Sequence, residues 1–279
     1  MKRADLHSHT TMSDGTQTPT AVVELAAKLG LGAVAITDHD TTGGYQEALE
    51  AGERLGIEVI PAVEMSTVLD GQSIDILAYF IDPNHPTFRN LLNRQRNMRQ
   101  DRNRLVLEKL NQLGIQIDLN EVESKQEGLS TEKNAGRVHI GQILVERGLV
   151  GDLNEAFDKY LGVDGLAFVS LNNTSPKEAI HAVKECGGVA VIAHPGLYHR
   201  DDLIPTIVEM GLTGLEINHP DHTEEDKARY AALAEKFNLI PTAGSDYHGV
   251  RNGQMHHANL GTCTVMLDIV EQLRTAAKK

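Results

Sequence analysis

A chain of 279 residues with 41% hydrophobic content is long enough for one large α/β domain, or a domain with a substantial insertion, around an ordinary buried core. Its two cysteines, Cys186 and Cys263, are too few for a disulfide framework or a cysteine metal cage, and a net charge of -13 disfavours broad nonspecific binding to nucleic acid. No apolar run approaches the ~18 residues of a membrane span and the first residues lack a signal-peptide apolar stretch, so a cytoplasmic protein with no membrane partner is expected.

Residues 4–9, Ala-Asp-Leu-His-Ser-His, read as the end of an N-terminal strand. Alternate residues of a strand point to the same side, so His7 and His9 converge, with Asp14 just behind. Two imidazoles and a carboxylate suit Zn, Mn or Fe. Residues 19–29 read as a helix, with Thr18 as N-cap, Pro19 in the first helical position and Gly30 as the stop. The apolar run 33–37 is a buried parallel strand that delivers Asp38-His39-Asp40 at its end. A helix over 44–55 leads to a strand over 57–63 with Glu64 just past it, and a further strand over 73–80 places Asp75 near its start.

The middle of the chain has another character. A long helical pattern over 86–113 offers Leu91, Leu92, Met98, Leu105 and Leu110 to a core, and Arg94, Arg96, Arg99, Arg102 and Arg104 crowd its centre. Shorter helices are expected over 120–127, 135–146 and 154–160 with no intervening apolar strand. Residues 86–172 are therefore assigned to a helical insertion or cap covering the site, and residues 1–85 and 173–279 to the main domain.

Strand and helix alternate again afterwards. The strand over 188–193 ends at His194-Pro195-Gly196, the strand over 214–217 is followed by His219, Asp221 and His222, and the run 239–243 delivers Gly244-Ser245-Asp246-Tyr247-His248. A last strand over 262–265 and a helix over 267–277 close the chain. About seven strand-plus-helix units favour a closed or nearly closed β/α barrel over an open sheet. His7, His9, His39, Glu64, His194, Asp246 and His248 all fall at or just after strand ends, on the face where such barrels carry their active sites.

Taken together, Asp5-Leu6-His7-Ser8-His9, Ser13-Asp14-Gly15, Thr37-Asp38-His39-Asp40, Pro61-Ala62-Val63-Glu64, Ala193-His194-Pro195-Gly196 and Gly244-Ser245-Asp246-Tyr247-His248 resemble the polymerase-and-histidinol-phosphatase (PHP) superfamily of metal-dependent phosphoesterases. The helical insertion is similar to that of stand-alone bacterial members akin to nucleoside 3′,5′-bisphosphate phosphatases. The resemblance implies an α/β fold, a distorted seven-stranded β/α barrel with a helical cap, and two or three divalent ions (Mn, Fe or Zn). Carried over by position, His7, His9, Glu64 and Asp246 would hold one ion, Glu64 and His194 a second, and Asp14, His39 and His248 a third. Asp246, His194 and Glu64 are the expected catalytic core. At Asp75 the family usually has a histidine. A carboxylate there could still bind metal, with lower occupancy of the second position or a preference for Mn or Fe over Zn.

A phosphate ester resists attack because its oxygens repel the nucleophile, and clustered divalent ions relieve that repulsion while activating a hydroxide. Arg137 and His139 resemble the family's phosphate-contacting segment, and Arg99, Arg102 and His222 are further candidates, since a guanidinium grips phosphate in a bidentate fashion. The expected substrate is a small phosphorylated molecule, a nucleotide with two phosphates, hydrolysed as a phosphomonoester, with no stable nucleic-acid partner. The alternatives are a 5′→3′ exonuclease on short RNA or DNA, a histidinol-phosphate-type phosphatase, and a non-catalytic metal-binding module.

Overall fold

The structure, a computed structural model, describes residues 2–125, 134–169, 174–251 and 254–277. In chain order the first part runs β1 (Arg3–Asp5), α1 (Pro19–Lys28), β2 (Ala33–Ile36), α2 (Tyr45–Leu55), β3 (Glu58–Leu69) and β4 (Gln72–Tyr79). The helical segment follows with α3 (Pro86–Gln112), α4 (Leu119–Ser124), α5 (Arg137–Glu146) and α6 (Leu153–Ala156), which runs on into a π-helical turn, Phe157–Leu161. Then come α7 (Pro176–Glu185), β5 (Val189–Ile192), α8 (Ile204–Glu209), β6 (Gly214–Asn218), α9 (Glu224–Phe237), β7 (Ile240–Ala243), a small hairpin of β8 (Val250–Arg251) and β9 (Gln254–Met255), β10 (Val265–Met266) and α10 (Leu267–Ala277). Of the helix expected over 120–127, residues 126 and 127 lie outside the described residues.

Eight strands form one mixed sheet in the order β10-β1-β2-β3-β4-β5-β6-β7. It curls into a nearly closed barrel because the chain leaving β7 meets the chain leaving β1. The Leu6 amide donates to Ala243 O (3.2 Å) and the His9 amide to Tyr247 O (2.8 Å). The wholly buried Asp5 carboxylate clasps this seam, accepting from the backbone N–H groups of Ser245 (2.9 Å) and Gly261 (2.7 Å). Such bonds offset only part of the cost of burial, which still pushes the Asp5 carboxyl up to about 6.

One feature departs from a regular β/α repeat. β4 is antiparallel to both β3 and β5. β3 runs six residues beyond the expected end at Val63, and it turns back at Asp70-Gly71, where both residues have positive φ (50° and 78°). Asp-Gly in that conformation is the signature of a type I′ hairpin. Glu64 therefore lies inside a strand, where β3 leaves β2 for β4 as its partner.

Alternation sorts the side chains. Ala33 and Ala35 face the barrel interior with Leu6, Ile60, Leu77, Tyr79 and Val191, while Val34 and Ile36 face outward under α1 and α2. Val270 and Leu273 of α10 join the interior group. The α3 helix bridges two cores: Phe88, Leu91 and Leu92 pack with β4 and α7, whereas Val106, Leu107 and Leu110 pack with Ile140, Ile143 and Leu144 of α5. Leu105, expected in the core, is exposed instead, because it falls on the opposite face from Val106 and Leu110. Among the described residues no helix is long and apolar enough to cross a membrane.

Candidate metal centre and its cavity

The strand ends deliver a buried knot of imidazoles and carboxylates. Glu64 stands at its middle. Its Oε2 lies 3.3 Å from His7 Nε2, 3.2 Å from His9 Nε2 and 3.2 Å from His39 Nδ1, while its Oε1 lies 3.0 Å from His194 Nε2. Asp246 Oδ1 is 3.3 Å from His7 Nε2 and 3.2 Å from His9 Nε2. Asp14 Oδ1 faces His248 Nε2 at 3.2 Å, and its Oδ2 is 3.9 Å from His39 Nε2. Donor atoms converge in three groups suited to metal ions: His9, Asp14, His39 and His248; His7, His9 and Asp246; and His7, Glu64 and His194.

These atoms point at common centres rather than at one another. His9 Nε2, His39 Nδ1 and Asp246 Oδ1 are buried, and among the described residues none of them has a hydrogen-bond partner of acceptable geometry despite neighbours near 3.2 Å. Orphaned buried polar atoms are costly, so their recurrence at one spot fits divalent cations. The electrostatics agree. Burial opposes the ionised form of Glu64, Asp14 and Asp246, but the surrounding imidazoles hold all three well below the usual carboxylate range. Burial likewise opposes charge on His7, His9 and His194, yet the carboxylates raise His7 well above its ordinary value, His9 to about 10 and His194 to about 9. The cluster thus demands positive charge, which protons supply until cations displace them.

A fourth group, His219, Asp246 and His257, also brings donor atoms together. Its chemistry is different. The Asp221 amide donates to His219 Nδ1 (3.2 Å), so the ring hydrogen sits on Nε2, 3.3 Å from Asp246 Oδ2. His219 orients Asp246 as a donor. His257 spans two carboxylates, with Nδ1 2.7 Å from Asp221 and Nε2 3.4 Å from Asp246 Oδ2. Asp246 is thereby held by one oxygen and offers the other to His7 and His9.

Asp75 is not in any of these groups. Its side chain hydrogen-bonds Ser66, its amide donates to the Tyr198 hydroxyl (2.8 Å), and burial with repulsion from Glu64 pushes its pKa up to about 7. Two expected substrate contacts are placed otherwise. His222 spends both ring nitrogens on backbone, Nε2 accepting from the Gly196 amide (3.1 Å) and Nδ1 donating to Ile217 O (2.8 Å). No nitrogen is left for a phosphate. Gly196 permits that stitch, since a Cβ there would meet His222 Cδ2 at 2.6 Å. His139 lies buried in the first turn of α5, where its Nδ1 accepts from the Gly136 amide (3.0 Å), and it is not among the described residues lining the cavity.

A cavity of about 500 Å³ opens over the cluster. Asp14, His39, Glu64, His194, Asp246 and His248 lie on its floor side, and the helical segment brings Arg99, Arg102 and Arg137 to it. Arg99 is committed to Asp40. Arg137 donates to Leu161 O (3.1 Å) and lies over the rings of Phe157 and Phe168. Arg102 has its Nε buried with no partner among the described residues, and burial together with Arg99 and Arg137 drives its pKa well below normal. Arg251, which sequence reasoning missed, also lines the cavity, with Nε and Nη1 buried and unpartnered among the described residues. The apolar side chains of Leu153, Phe157, Val163, Phe168 and Leu197 complete the wall.

Residues 5–165 match the PHP domain. A phosphoribosyl 1,2-cyclic phosphate 1,2-diphosphodiesterase from Eggerthella lenta is 35% identical, covering 91% of this chain and 96% of its own. A 5′-3′ exoribonuclease from Haemophilus influenzae is 34% identical, over 88% of this chain and 90% of its own. A 3′,5′-nucleoside bisphosphate phosphatase from Chromobacterium violaceum is 32% identical, over 91% and 90%. The crystal structure of a Bifidobacterium adolescentis protein superimposes with a TM-score of 0.89 at 33% identity, covering 98% of this chain and 95% of the other. With the barrel, the strand-end imidazoles and the clustered carboxylates in place, these matches establish that the chain belongs to the PHP family of metal-dependent phosphoesterases.

Proposed function

We propose that this chain is a phosphomonoesterase that removes one phosphate from a small nucleotide bearing two, of the nucleoside 3′,5′-bisphosphate class. The observation that carries the reading is Arg102, which lines the cavity with Arg137 and whose buried Nε has no partner among the described residues. Asp40 and Asp75 offset the burial of Arg102 and its repulsion from Arg99 and Arg137 only in part, and a second phosphate on the substrate would supply the remaining negative charge. The Phe157 and Phe168 rings give an apolar surface for the nucleoside between the two ends. In this reading residues 86–172 are the cap that recognises the substrate, and residues 1–85 and 173–279 hold the ions.

His7, His9, Glu64 and Asp246 would hold one ion, Glu64 and His194 a second, and Asp14, His39 and His248 a third, with Asp75 turned to Ser66 instead. Nitrogen and carboxylate oxygen donors suit Mn, Fe or Zn. Bound ions supply neutralisation of the phosphate oxygens and acidify water for attack. The chain's own part is to orient: Arg137 and the N-terminal turn of α5 face the anion, and the cap sheds water around the ester.

A second reading, a 5′→3′ exonuclease on short RNA or DNA, is favoured by the 34% identity to the Haemophilus enzyme. A Mn-loaded substrate panel tests both. We expect inorganic phosphate from a nucleoside 3′,5′-bisphosphate at least ~10-fold faster than from the matching 5′-monophosphate, as one charge-assisted contact allows. Stepwise shortening of a 5′-phosphorylated oligonucleotide, with no phosphate released from the bisphosphate, would replace the first reading with the second. Preferential opening of a ribose 1,2-cyclic phosphate, or preferential turnover of histidinol phosphate, would overturn both.

A further inference from the structure

Strand β6 contributes no donor to the three convergent groups that suit metal ions, yet it carries a fully buried carboxylate pressed against them. Glu216 is 0% exposed, and its carboxylate reaches two of the proposed ligands at once. Oε1 lies 3.1 Å and Oε2 3.3 Å from His7 Nδ1, and Oε2 accepts the backbone N–H of His194 at 2.8 Å. His194 sits at φ 25°, a region that a residue with a side chain adopts at a cost, and it persists only where neighbours over-determine it.

We propose that Glu216 is a positioning residue for metal, fixing the His7 ring hydrogen on Nδ1 so that Nε2 is bare toward the ions while pinning the His194 backbone turn. The inference rests on the reading that His7 and His194 hold ions. Its logic is one of donors and acceptors. The His194 N–H can only donate, so whatever stands at position 216 must offer it an acceptor. With a carboxylate the other oxygen is also an acceptor, and His7 must meet it with an Nδ1 hydrogen. His7 Nε2, near Glu64 Oε2 and Asp246 Oδ1, is then the atom available to a cation. A glutamine at 216 would present its oxygen to His194 and its NH2 to His7. That forces His7 to accept at Nδ1 and to carry its hydrogen on Nε2, the atom that must be free for metal. An acid-to-amide change of nearly unchanged shape therefore acts on tautomer rather than packing.

Carboxylates that orient metal-binding histidines commonly govern affinity 10- to 100-fold when replaced. Zn loading of metal-free protein, followed by competition with a chelator, should show about that weakening for the ion of His7 in Glu216→Gln. The ion proposed for Asp14, His39 and His248 should be retained. The spectroscopic signature is the long-range 1H–15N pattern of the His7 ring, assigned with His7→Asn: hydrogen on Nδ1 in Zn-loaded wild type, on Nε2 in Glu216→Gln. Glu216→Asp keeps two acceptors on a shorter arm, and should keep the Nδ1 hydrogen with an intermediate affinity. It also carries the test should the glutamine variant fail to fold. Equal Zn affinity and stoichiometry in wild type and Glu216→Gln, or a His7 hydrogen that stays on Nδ1 in the variant, overturns the inference while leaving the metal reading intact. Wild-type protein that takes up no Zn overturns both.

Discussion

Replacement of Arg102 by methionine tests the substrate reading most directly. Methionine keeps most of the unbranched stem and removes the guanidinium. In the free protein that guanidinium is disfavoured by burial and by Arg99 and Arg137, so the variant should melt no lower than the wild type. With substrate bound the balance reverses, because a phosphate beside Arg102 gains hydrogen bonds to a charged donor. Such a bond contributes about 1.5–3 kcal/mol, and at 1.4 kcal/mol per tenfold its loss lowers kcat/KM for a nucleoside 3′,5′-bisphosphate roughly 10- to 150-fold. The loss should lie mostly in KM, since the contact is remote from the ester and is made equally before and during reaction. For a substrate with a single phosphate the same variant should lose less than about 3-fold, well within the range of an indirect effect. Steady-state phosphate release with both substrates reads the comparison. An equal loss on the two substrates, or no loss on either, would refute the assignment of Arg102 to a second anion.

Three other outcomes follow from the same geometry. Gly196→Ala brings a Cβ to 2.6 Å from His222 Cδ2; overpacking of this kind costs about 1–3 kcal/mol, and calorimetry should show a melting temperature lower by several degrees with weaker metal loading at His194. His139 is held down to about 4 by burial, so between its unfolded value near 6.5 and about 4 the unfolded chain binds the extra proton and stability falls as pH falls. His139→Gln, which retains an acceptor for the Gly136 amide, should flatten that part of the stability curve in metal-free protein by an order of 2–3 kcal/mol; an unchanged slope in urea titrations at pH 4.5 and 6.5 would count against it. Adding Mn to chelator-treated protein should raise stability by about 2.7 kcal/mol at a free concentration 100 times the dissociation constant, and no shift in the melting temperature would contradict a metal centre at these residues.

How much of this was legible beforehand depended on whether a residue's role follows from its place on the chain. That His7, His9, His39, His194, Asp246 and His248 share one rim was readable because apolar runs mark strands, and donors at strand ends fall on one rim whatever the loops do. The direction of β4 was not readable from the apolar run alone. Its run over 72–79 looks like any buried strand, and its direction lies instead in the Asp70-Gly71 turn, which folds β4 back antiparallel on β3. Glu216 was invisible for a related reason. A single glutamate in Gly-Leu-Glu-Ile reads as an outward polar residue of an alternating strand, and nothing local says that His7, over 200 positions earlier, lies against it. His222 misled in the opposite sense. A histidine after a strand end reads as a pocket residue, yet backbone groups of Gly196 and Ile217 consume both nitrogens. Arg251 sits in a two-residue strand too short to register as an element.

The net acidity of the chain and the anionic substrate proposed for it are reconciled by where the charges lie. The floor of the cavity carries Asp14, Glu64 and Asp246 held ionised, and the helical segment brings Arg102 and Arg137 to the opposite wall. On the proposed reading, protons on His7, His9 and His194 balance the floor carboxylates in metal-free protein, so a phosphate would be drawn to the arginines of the helical segment, the wrong end for hydrolysis of its ester. Divalent ions that displace those protons would concentrate positive charge at the floor and invert that preference locally, while the helical segment stays unchanged. A substrate with one phosphate then has two competing seats. On the proposed reading a substrate with two phosphates would satisfy both at once, with its nucleoside along the Phe157 and Phe168 wall, so the ester would be oriented by its distant charge as well as by the ions. Metal loading would therefore set orientation as well as reactivity, and the proposed preference for two phosphates should vanish in metal-free binding measurements, where monophosphate and bisphosphate would both reach the helical segment alone.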